Sequence, residues 1–101
     1  VVAVLGDFGR TPKINGADAG RDHWNFCYSI LFAGGGFKPG LVWGASDRHG
    51  AFPADRPVTP GQSIATLYHA LGVDCRAQLY DSLQRPHRIV PIGDAIPELL
   101  V

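Results

Sequence analysis

The sequence has no methionine, only two cysteines, and no excess of either charge. Nine basic residues balance nine acidic ones, so the composition does not favour nucleic acid or an anionic membrane surface as a partner. No apolar run approaches the length that spans a bilayer. Two cysteines allow at most one disulfide, and the apolar, strand-like surroundings of Cys27 favour a free buried thiol instead.

The residues that are present form an ordinary globular composition. The chain has 101 residues, of which 46% are hydrophobic and 18% are charged. This is enough for one compact domain with a modest core, and it argues against disorder. The lack of methionine and the strand-like opening "VVAVLG" indicate a segment of a longer protein. We therefore expect residues 1–101 to be a single domain or the C-terminal fragment of a larger one, of unknown localisation.

The apolar pattern predicts an α/β fold, with a small sheet and one packed helix. A continuous β-branched run over residues 1–5 is typical of a strand buried on both faces. Further strands are predicted over residues 27–33 and 41–43, and a short one over 88–91. Glycine, proline and an asparagine-glycine pair punctuate residues 6–22, which predicts a long loop.

The clearest helix is predicted over residues 60–71. Thr59 is a suitable N-cap, Pro60 suits the first helical position, and Gln62 completes a capping box. Gly72 is a natural stop. The apolar side chains that share one face at helical spacing, and that we expect to be buried, are Ile64, Leu67, Tyr68 and Leu71.

The long loop carries residues that suit a metal or anion site. Asp7 follows the first strand, and His23 directly precedes the next apolar run, so the two ends of the loop can meet where α/β sheets bind ligands. One carboxylate and one imidazole are half of a ligand set for zinc or a similar divalent ion. Asp22 could be a second carboxylate ligand or could orient the imidazole. Arg10 and Arg21 could neutralise an anionic substrate.

The same residues also have a purely structural interpretation, which the spacing alone favours. Asp7 could cap a turn, Asp22 and Arg21 could form a solvated pair, and His23 could be a half-buried histidine beside Trp24. No compact ligand motif of the HxxxH or CxxC kind is present. The other histidines carry no such motif either: these are His49, His69 and His87.

An ordered set of motifs extends over nearly the whole chain: "GDFGRTPKIN", "GRDHW", "LFAGGGFKPG", "VWGASD", "PVTPGQSIATLYHALGVD" and "LQRPH". Together they closely resemble the C-terminal part of the bacterial family called Domain of Unknown Function 1501. That family resembles the alkaline phosphatase/sulfatase superfamily, because "CYSILFAGGGFKPG" is similar to a strand and turn of sulfatases. The resemblance implies that the chain is a C-terminal segment of an alkaline phosphatase/sulfatase-like α/β fold.

The resemblance also implies roles for individual residues. Asp7 matches the metal-binding acid that ends a superfamily strand, and His23 matches a late metal-binding histidine. Combining these two residues with the others of the loop, we expect Asp7, Asp22 and His23 to form one side of a metal site and Arg10 to be the catalytic residue that faces the anion. Two departures are visible: Asp7 stands where this family usually has glutamate, and Phe8 stands where much of the superfamily has a histidine or asparagine ligand.

The function implied by this resemblance is metal-dependent hydrolysis of phosphate or sulfate esters. The metal would be zinc, manganese or calcium, the substrate an anionic ester, and the partner the N-terminal part of the parent chain, which would carry the nucleophile. Family members of this kind are often exported. We expect the isolated chain not to turn over substrate. The alternative is a non-catalytic binding or structural module that keeps the fold.

Overall fold

The computed structural model describes residues 1–101, with one α-helix and four small two-stranded sheets. In chain order the elements are β1 (Val2–Val4), β2 (Gly9–Arg10), β3 (His23–Trp24), β4 (Leu31–Ala33), β5 (Ala45–Ser46), β6 (Pro53–Asp55), α1 (Pro60–Ala70), β7 (Gln78–Tyr80), β8 (Pro86–Arg88) and a 3-10 turn (Pro97–Leu99). The pairs are β1–β4, β2–β3, β5–β6 and β7–β8. The last three are antiparallel. This is a mixed α/β composition, as the sequence predicted.

The chain divides into two compact units. The loop unit consists of Val2–Phe32 and Val42–Pro57. The helix unit consists of Val1, Ala33–Leu41 and Val58–Val101. No helix here has the length and hydropathy needed to cross a bilayer.

Local signals define the start of α1 as the sequence predicted. The Thr59 hydroxyl accepts the N–H of Gln62 at 3.2 Å, and the Thr59 N–H donates to the Gln62 side chain at 2.9 Å. This reciprocal pair is a capping box, which satisfies two backbone donors that a helix N-terminus leaves without partners. Pro60 occupies the first turn, where its missing N–H costs nothing.

Local interactions also define the C-terminal end of α1. Gly72 has φ 77°, a conformation that favours glycine. Its N–H donates to the carbonyl of His69 at 3.0 Å, and the N–H of Val73 donates to Tyr68 at 2.9 Å. These two bonds form a Schellman motif, which satisfies carbonyls that the helix would otherwise leave open. The predicted stop at Gly72 is confirmed.

The four residues of the predicted α1 face are not buried: Leu67 and Tyr68 are half-buried, and the other two are exposed. Ile64 is 45% exposed and Leu71 is 55% exposed. The residues of α1 that are buried have small side chains; they are Ser63, Ala65 and Thr66. Small side chains allow the C-terminal tail to lie close to the helix, where Val90 and Ile96 complete the buried core with Ala65. The most deeply buried face of the helix is therefore formed by its small side chains, and its apolar stripe is only partly covered.

Thr66 joins α1 to the tail. Its hydroxyl donates to the Gln62 carbonyl at 2.7 Å and accepts the N–H of Ile96 at 3.0 Å. The side chain is fully buried, and both of its hydrogen-bonding roles are filled, as a buried hydroxyl requires. At the first turn of the helix a Cβ on Gly61 would overlap the carbonyl oxygen of Ile92. Only glycine therefore permits this contact.

Three strand predictions are corrected. The run over residues 1–5 is not buried, because β1 pairs only with β4 and its Val2 and Val4 are each 59% exposed. Strand structure within residues 27–33 is limited to β4. Residues 41–43 form no strand. The next strand, β5, begins after Gly44, whose φ of 75° turns the chain beside the carbonyls of Asp55 and Arg56.

The strand predicted over residues 88–91 begins earlier than expected. β8 pairs with β7 and places His87 opposite Leu79. Both cysteines are free, and the thiol of Cys27 is half-buried. The Cys75 thiol donates to the carbonyl of Ala65 at 3.3 Å, on the helix side of the buried core.

Candidate functional site

The antiparallel pair β2–β3 places Arg10 directly opposite His23. The pairing depends on Gly9, which is buried and faces Trp24. A Cβ at Gly9 would overlap the carbonyl oxygens of Cys27 and Trp24. The strand can therefore approach its neighbours only with glycine at this position, and the next residue, Arg10, is carried to the exposed end of the pair.

Phe8 organises the side chains around this pair. Its ring lies 4.0 Å from the His23 ring, centroid to centroid, at an interplanar angle of 44°. The Arg10 guanidinium carbon lies 5.6 Å from the Phe8 centroid, which is within the range of a cation–π contact. We call Phe8, Arg10 and His23 the Phe8 platform. Arg10 and His23 are exposed and Phe8 is half-buried, and the one aromatic ring contacts both the imidazole and the guanidinium.

Sequence reasoning did not assign Phe8 a structural role of this kind. A signal was nevertheless present, because residues two apart in an extended chain project to the same side. Phe8 and Arg10 have that spacing. The resemblance implies a lost metal ligand at Phe8, and the structure shows that its ring contacts both neighbouring polar groups.

The two carboxylates predicted for this site make different contacts. Asp7 is exposed, and its Oδ1 accepts the N–H of Phe8 at 3.0 Å. Asp22 Oδ1 accepts the side-chain N–H of Asn15 at 3.1 Å. No group of three or more histidine, cysteine, aspartate or glutamate side chains in the chain is arranged to hold a metal ion. The structure therefore brings Arg10 and His23 together, and engages Asp7 and Asp22 in local bonds.

Besides the bond from Asn15 to the Asp22 carboxylate, backbone groups and the Thr11 hydroxyl close the loop between β2 and β3. The N–H of Thr11 donates to the Asp22 carbonyl at 2.9 Å, and the N–H of Asp22 returns to the Thr11 hydroxyl at 3.1 Å. Farther along, Asn15 N–H donates to Gly20 at 2.8 Å and Ala19 N–H donates to Asn15 at 3.2 Å. The loop therefore contains more internal hydrogen bonds than its glycine and proline content predicts.

A tryptophan fixes the strand that carries His23. Trp24 Nε1 donates to the Ala51 carbonyl at 2.6 Å. Its ring lies 4.9 Å from Phe26 and 5.6 Å from Phe52, both edge-on. Edge-to-face aromatic contacts of this kind stabilise beyond their buried area. Because His23 is adjacent to Trp24, these contacts also fix the position of the His23 backbone.

The segment that receives Trp24 is itself closed by a carboxylate. Asp47 accepts the backbone N–H of Ala51 at 2.9 Å, of His49 at 3.0 Å and of Phe52 at 3.3 Å. These bonds, the one from Ala51 above all, lower the pKa of Asp47 below its ordinary value. They favour the charged carboxylate, and the charged form keeps the segment closed.

A second carboxylate-closed turn joins β7 to β8. Asp81 Oδ2 lies 2.7 Å from Arg85 Nε and 3.0 Å from His87 Nε2. Asp81 Oδ1 accepts the backbone N–H of Leu83 and of Arg85. The Arg85 backbone N–H, followed by the His87 imidazole, lowers the pKa of Asp81 to about 2. We call Asp81, Arg85 and His87 the Asp81 turn.

Fold and site together define a small mixed α/β chain that presents an exposed arginine and an exposed histidine on a half-buried aromatic ring. The family model described as "Protein of unknown function (DUF1501)" matches residues 1–100. The chain belongs to this family. Comparison with curated proteins and with solved structures returned no match.

Proposed function

We propose that the Phe8 platform binds the anionic group of a phosphate or sulfate ester, as one side of a metal-dependent hydrolase site. The observation that carries this proposal is the placement of Arg10 opposite His23 with Phe8 against both. Arg10 is exposed and forms no ion pair, whereas the ion pairs of this chain use Arg56, Arg76 and Arg85. An unpaired guanidinium offers its donors to an anion, whose oxygens it can bind in pairs.

The proposed metal is a divalent ion, zinc, manganese or calcium, held in part by this chain. Asp7 and His23 supply ligand types that suit such ions, and Asp22 retains one carboxylate oxygen beside the bond to Asn15. Because these residues do not form a complete ligand group, further ligands must come from elsewhere in the larger protein. When bound, the metal would polarise the ester oxygen. Arg10 would hold the anion.

The proposed setting is the C-terminal segment of an alkaline phosphatase/sulfatase-like fold. Support comes from exposed apolar side chains of the β1–β4 pair and of the residue that follows β1. Val4, Leu5 and Leu31 are each more than half exposed, and such apolar surface is typical of an interface. We propose that the N-terminal part of the parent chain covers it and supplies the nucleophile.

A non-catalytic binding module is the alternative function, and a specific observation favours it. Phe8 occupies a position where the superfamily resemblance implies a metal ligand. The ring instead supports Arg10 and His23. A platform that retains the guanidinium and loses a metal ligand would still bind an anion without hydrolysing it.

Variants of the parent protein distinguish the hydrolase from the binding module. If the hydrolase proposal holds, the His23→Ala variant loses bound metal and activity on aryl phosphate or aryl sulfate, whereas Arg10→Ala weakens substrate binding and retains the metal. The matched control is His69→Ala, because His69 is an exposed histidine on α1. Equal metal content in the His23→Ala variant and the unmodified protein would show that His23 is not a ligand. Anion binding that depends on Arg10 without any turnover would establish the binding module.

A further inference from the structure

Asn15 and Gly16 form an asparagine-glycine pair in the loop that joins β2 to β3. In such a pair the backbone nitrogen of the second residue can attack the side-chain carbonyl carbon of the asparagine. A carbon–nitrogen bond forms, the backbone nitrogen loses its proton, and the side-chain nitrogen leaves as ammonia. Water then opens the cyclic imide at either carbonyl, which leaves aspartate or isoaspartate.

The surroundings of Gly16 leave its nitrogen open to this reaction. A Cβ at Gly16 would meet no heavy atom within 4 Å. The backbone bonds of the loop use the N–H and the carbonyl of Asn15, through Gly20 and Ala19, and the N–H of Gly16 donates to no acceptor within the chain. The attacking nitrogen is therefore not held in a hydrogen bond, and the space beside the Gly16 Cα is open.

The product of the reaction is incompatible with the closed loop. Asn15 closes the loop by donating a side-chain N–H to Asp22 Oδ1 at 3.1 Å. Hydrolysis replaces that donor with a carboxylate oxygen, so two negative groups would face each other where a hydrogen bond was. Like charges at this separation repel. In the isoaspartate product the backbone also gains a carbon, which displaces the Asn15 bonds to Gly20 and Ala19.

We propose that Asn15 is a modification site whose spontaneous conversion to aspartate or isoaspartate opens the loop over residues 11–22. The opened segment is the one that connects Arg10 to His23, so the modification acts on the Phe8 platform from outside it. The proposal is independent of whether the platform binds a metal, an anion or neither.

The chain contains its own control for the first step. Its other asparagine, Asn25, precedes Phe26, whose ring packs 4.9 Å from Trp24. Trypsin separates the two asparagines, because it releases residues 14–21 in one peptide and residues 22–48 in another. After ageing of the folded chain in mildly alkaline buffer, mass spectrometry should show conversion at Asn15 at least about tenfold faster than at Asn25, a barrier difference of about 1.4 kcal/mol.

A second control isolates the role of Gly16. Its φ lies outside the left-handed region and its surroundings are open, so Gly16→Ala should leave the loop intact. The added methyl group should hinder ring closure and slow conversion. Conversion at Asn15 no faster than at Asn25, or unchanged by Gly16→Ala, would overturn the proposed site.

The second step is tested by variants that do not require ageing. Asn15→Asp should speed amide hydrogen exchange at Thr11 and Ala19, whose N–H groups close the loop. The double variant Asn15→Asp/Asp22→Asn exchanges donor and acceptor, and it should restore slow exchange. Unchanged exchange in Asn15→Asp would overturn loop opening. Failure of the double variant to restore slow exchange would show that charge repulsion is not its cause.

Discussion

The helix unit and the loop unit are stabilised in different ways. All buried side chains belong to the helix unit; they are Ser63, Ala65, Thr66, Val90 and Ile96. In the loop unit only Gly9 is buried, and the remaining order comes from aromatic contacts and from hydrogen bonds to Asp47 and Thr11. Regions with few buried apolar contacts open locally at lower free energy. The unit that presents the Phe8 platform is therefore expected to be the less stable one.

The largest expected effect tests the core of the helix unit. Ile96 is 8% exposed, so Ile96→Ala should lower the free energy of unfolding by about 2–4 kcal/mol through lost burial and a cavity. The matched control is Ile64→Ala, the same change at a side chain that is 45% exposed. The control should cost less than about 1 kcal/mol. Urea titration measures both, and equal losses would mean that the buried face of α1 is assigned incorrectly.

The second largest effect tests the interactions that stabilise the loop unit. Trp24→Phe keeps an aromatic ring near Phe26 and Phe52 but removes the bond from Nε1 to the Ala51 carbonyl. We expect a loss of about 1 kcal/mol, the net contribution of one hydrogen bond. Trp43→Phe is the control, because it preserves a ring beneath the Arg56 guanidinium. Denaturant titration measures the stability of the two variants, and hydrogen exchange at His23 reports on the loop unit. Equal stability of Trp24→Phe and Trp43→Phe would contradict the assignment of the Trp24 hydrogen bond as a source of the loop unit's stability.

A smaller effect is expected on stability at low pH, where the Asp81 carboxylate becomes protonated. The pKa of Asp81 is lowered from 3.8 to about 2, so the folded state holds the charged form more strongly than the unfolded chain does. The stabilisation is therefore present above pH 3.8 and is lost as the pH falls through about 2. Asp81→Asn should remove this part of the acid response. Chemical shifts of Leu83 and Arg85 amides across an acid titration report it, and an unchanged response would exclude Asp81 as its source.

The smallest effect is expected at the ion pair between Arg76 and Asp94. The two side chains are 72% and 70% exposed, and exposed pairs contribute roughly 0–1 kcal/mol. Asp94→Asn should shift the urea midpoint little, and added salt should remove the difference. A loss as large as that of Ile96→Ala would show that surface charge, and not burial, stabilises the helix unit.

The ends of α1 could be predicted from the sequence because their causes are local. Thr59, Gln62 and Gly72 make their defining bonds within a few residues of themselves. The buried face of the helix could not be predicted in this way. It depends on the approach of Ile96, which is 30 residues from Thr66, and on a backbone contact that only Gly61 permits.

Sequence reasoning named two of the three residues of the Phe8 platform, but it predicted neither the contacts of Phe8 nor the arrangement of the three side chains. Arg10 and His23 were identified by residue type and position, and the structure places them opposite each other. The strands that achieve this are only two residues long, too short for an apolar pattern to indicate. Their pairing depends on the contacts of Gly9, which are a property of the folded chain.

The bond between Thr66 and Ile96 also bears on the order in which the chain folds. The capping box and the Schellman motif of α1 involve near neighbours, so closing them costs little chain entropy. Joining Thr66 to Ile96 closes a much longer segment, at a larger entropic cost. Contacts of this separation form late when local structure can form early. Substitutions at Ile96 should then act mainly on the unfolding rate, whereas changes at Thr59 should act on the folding rate.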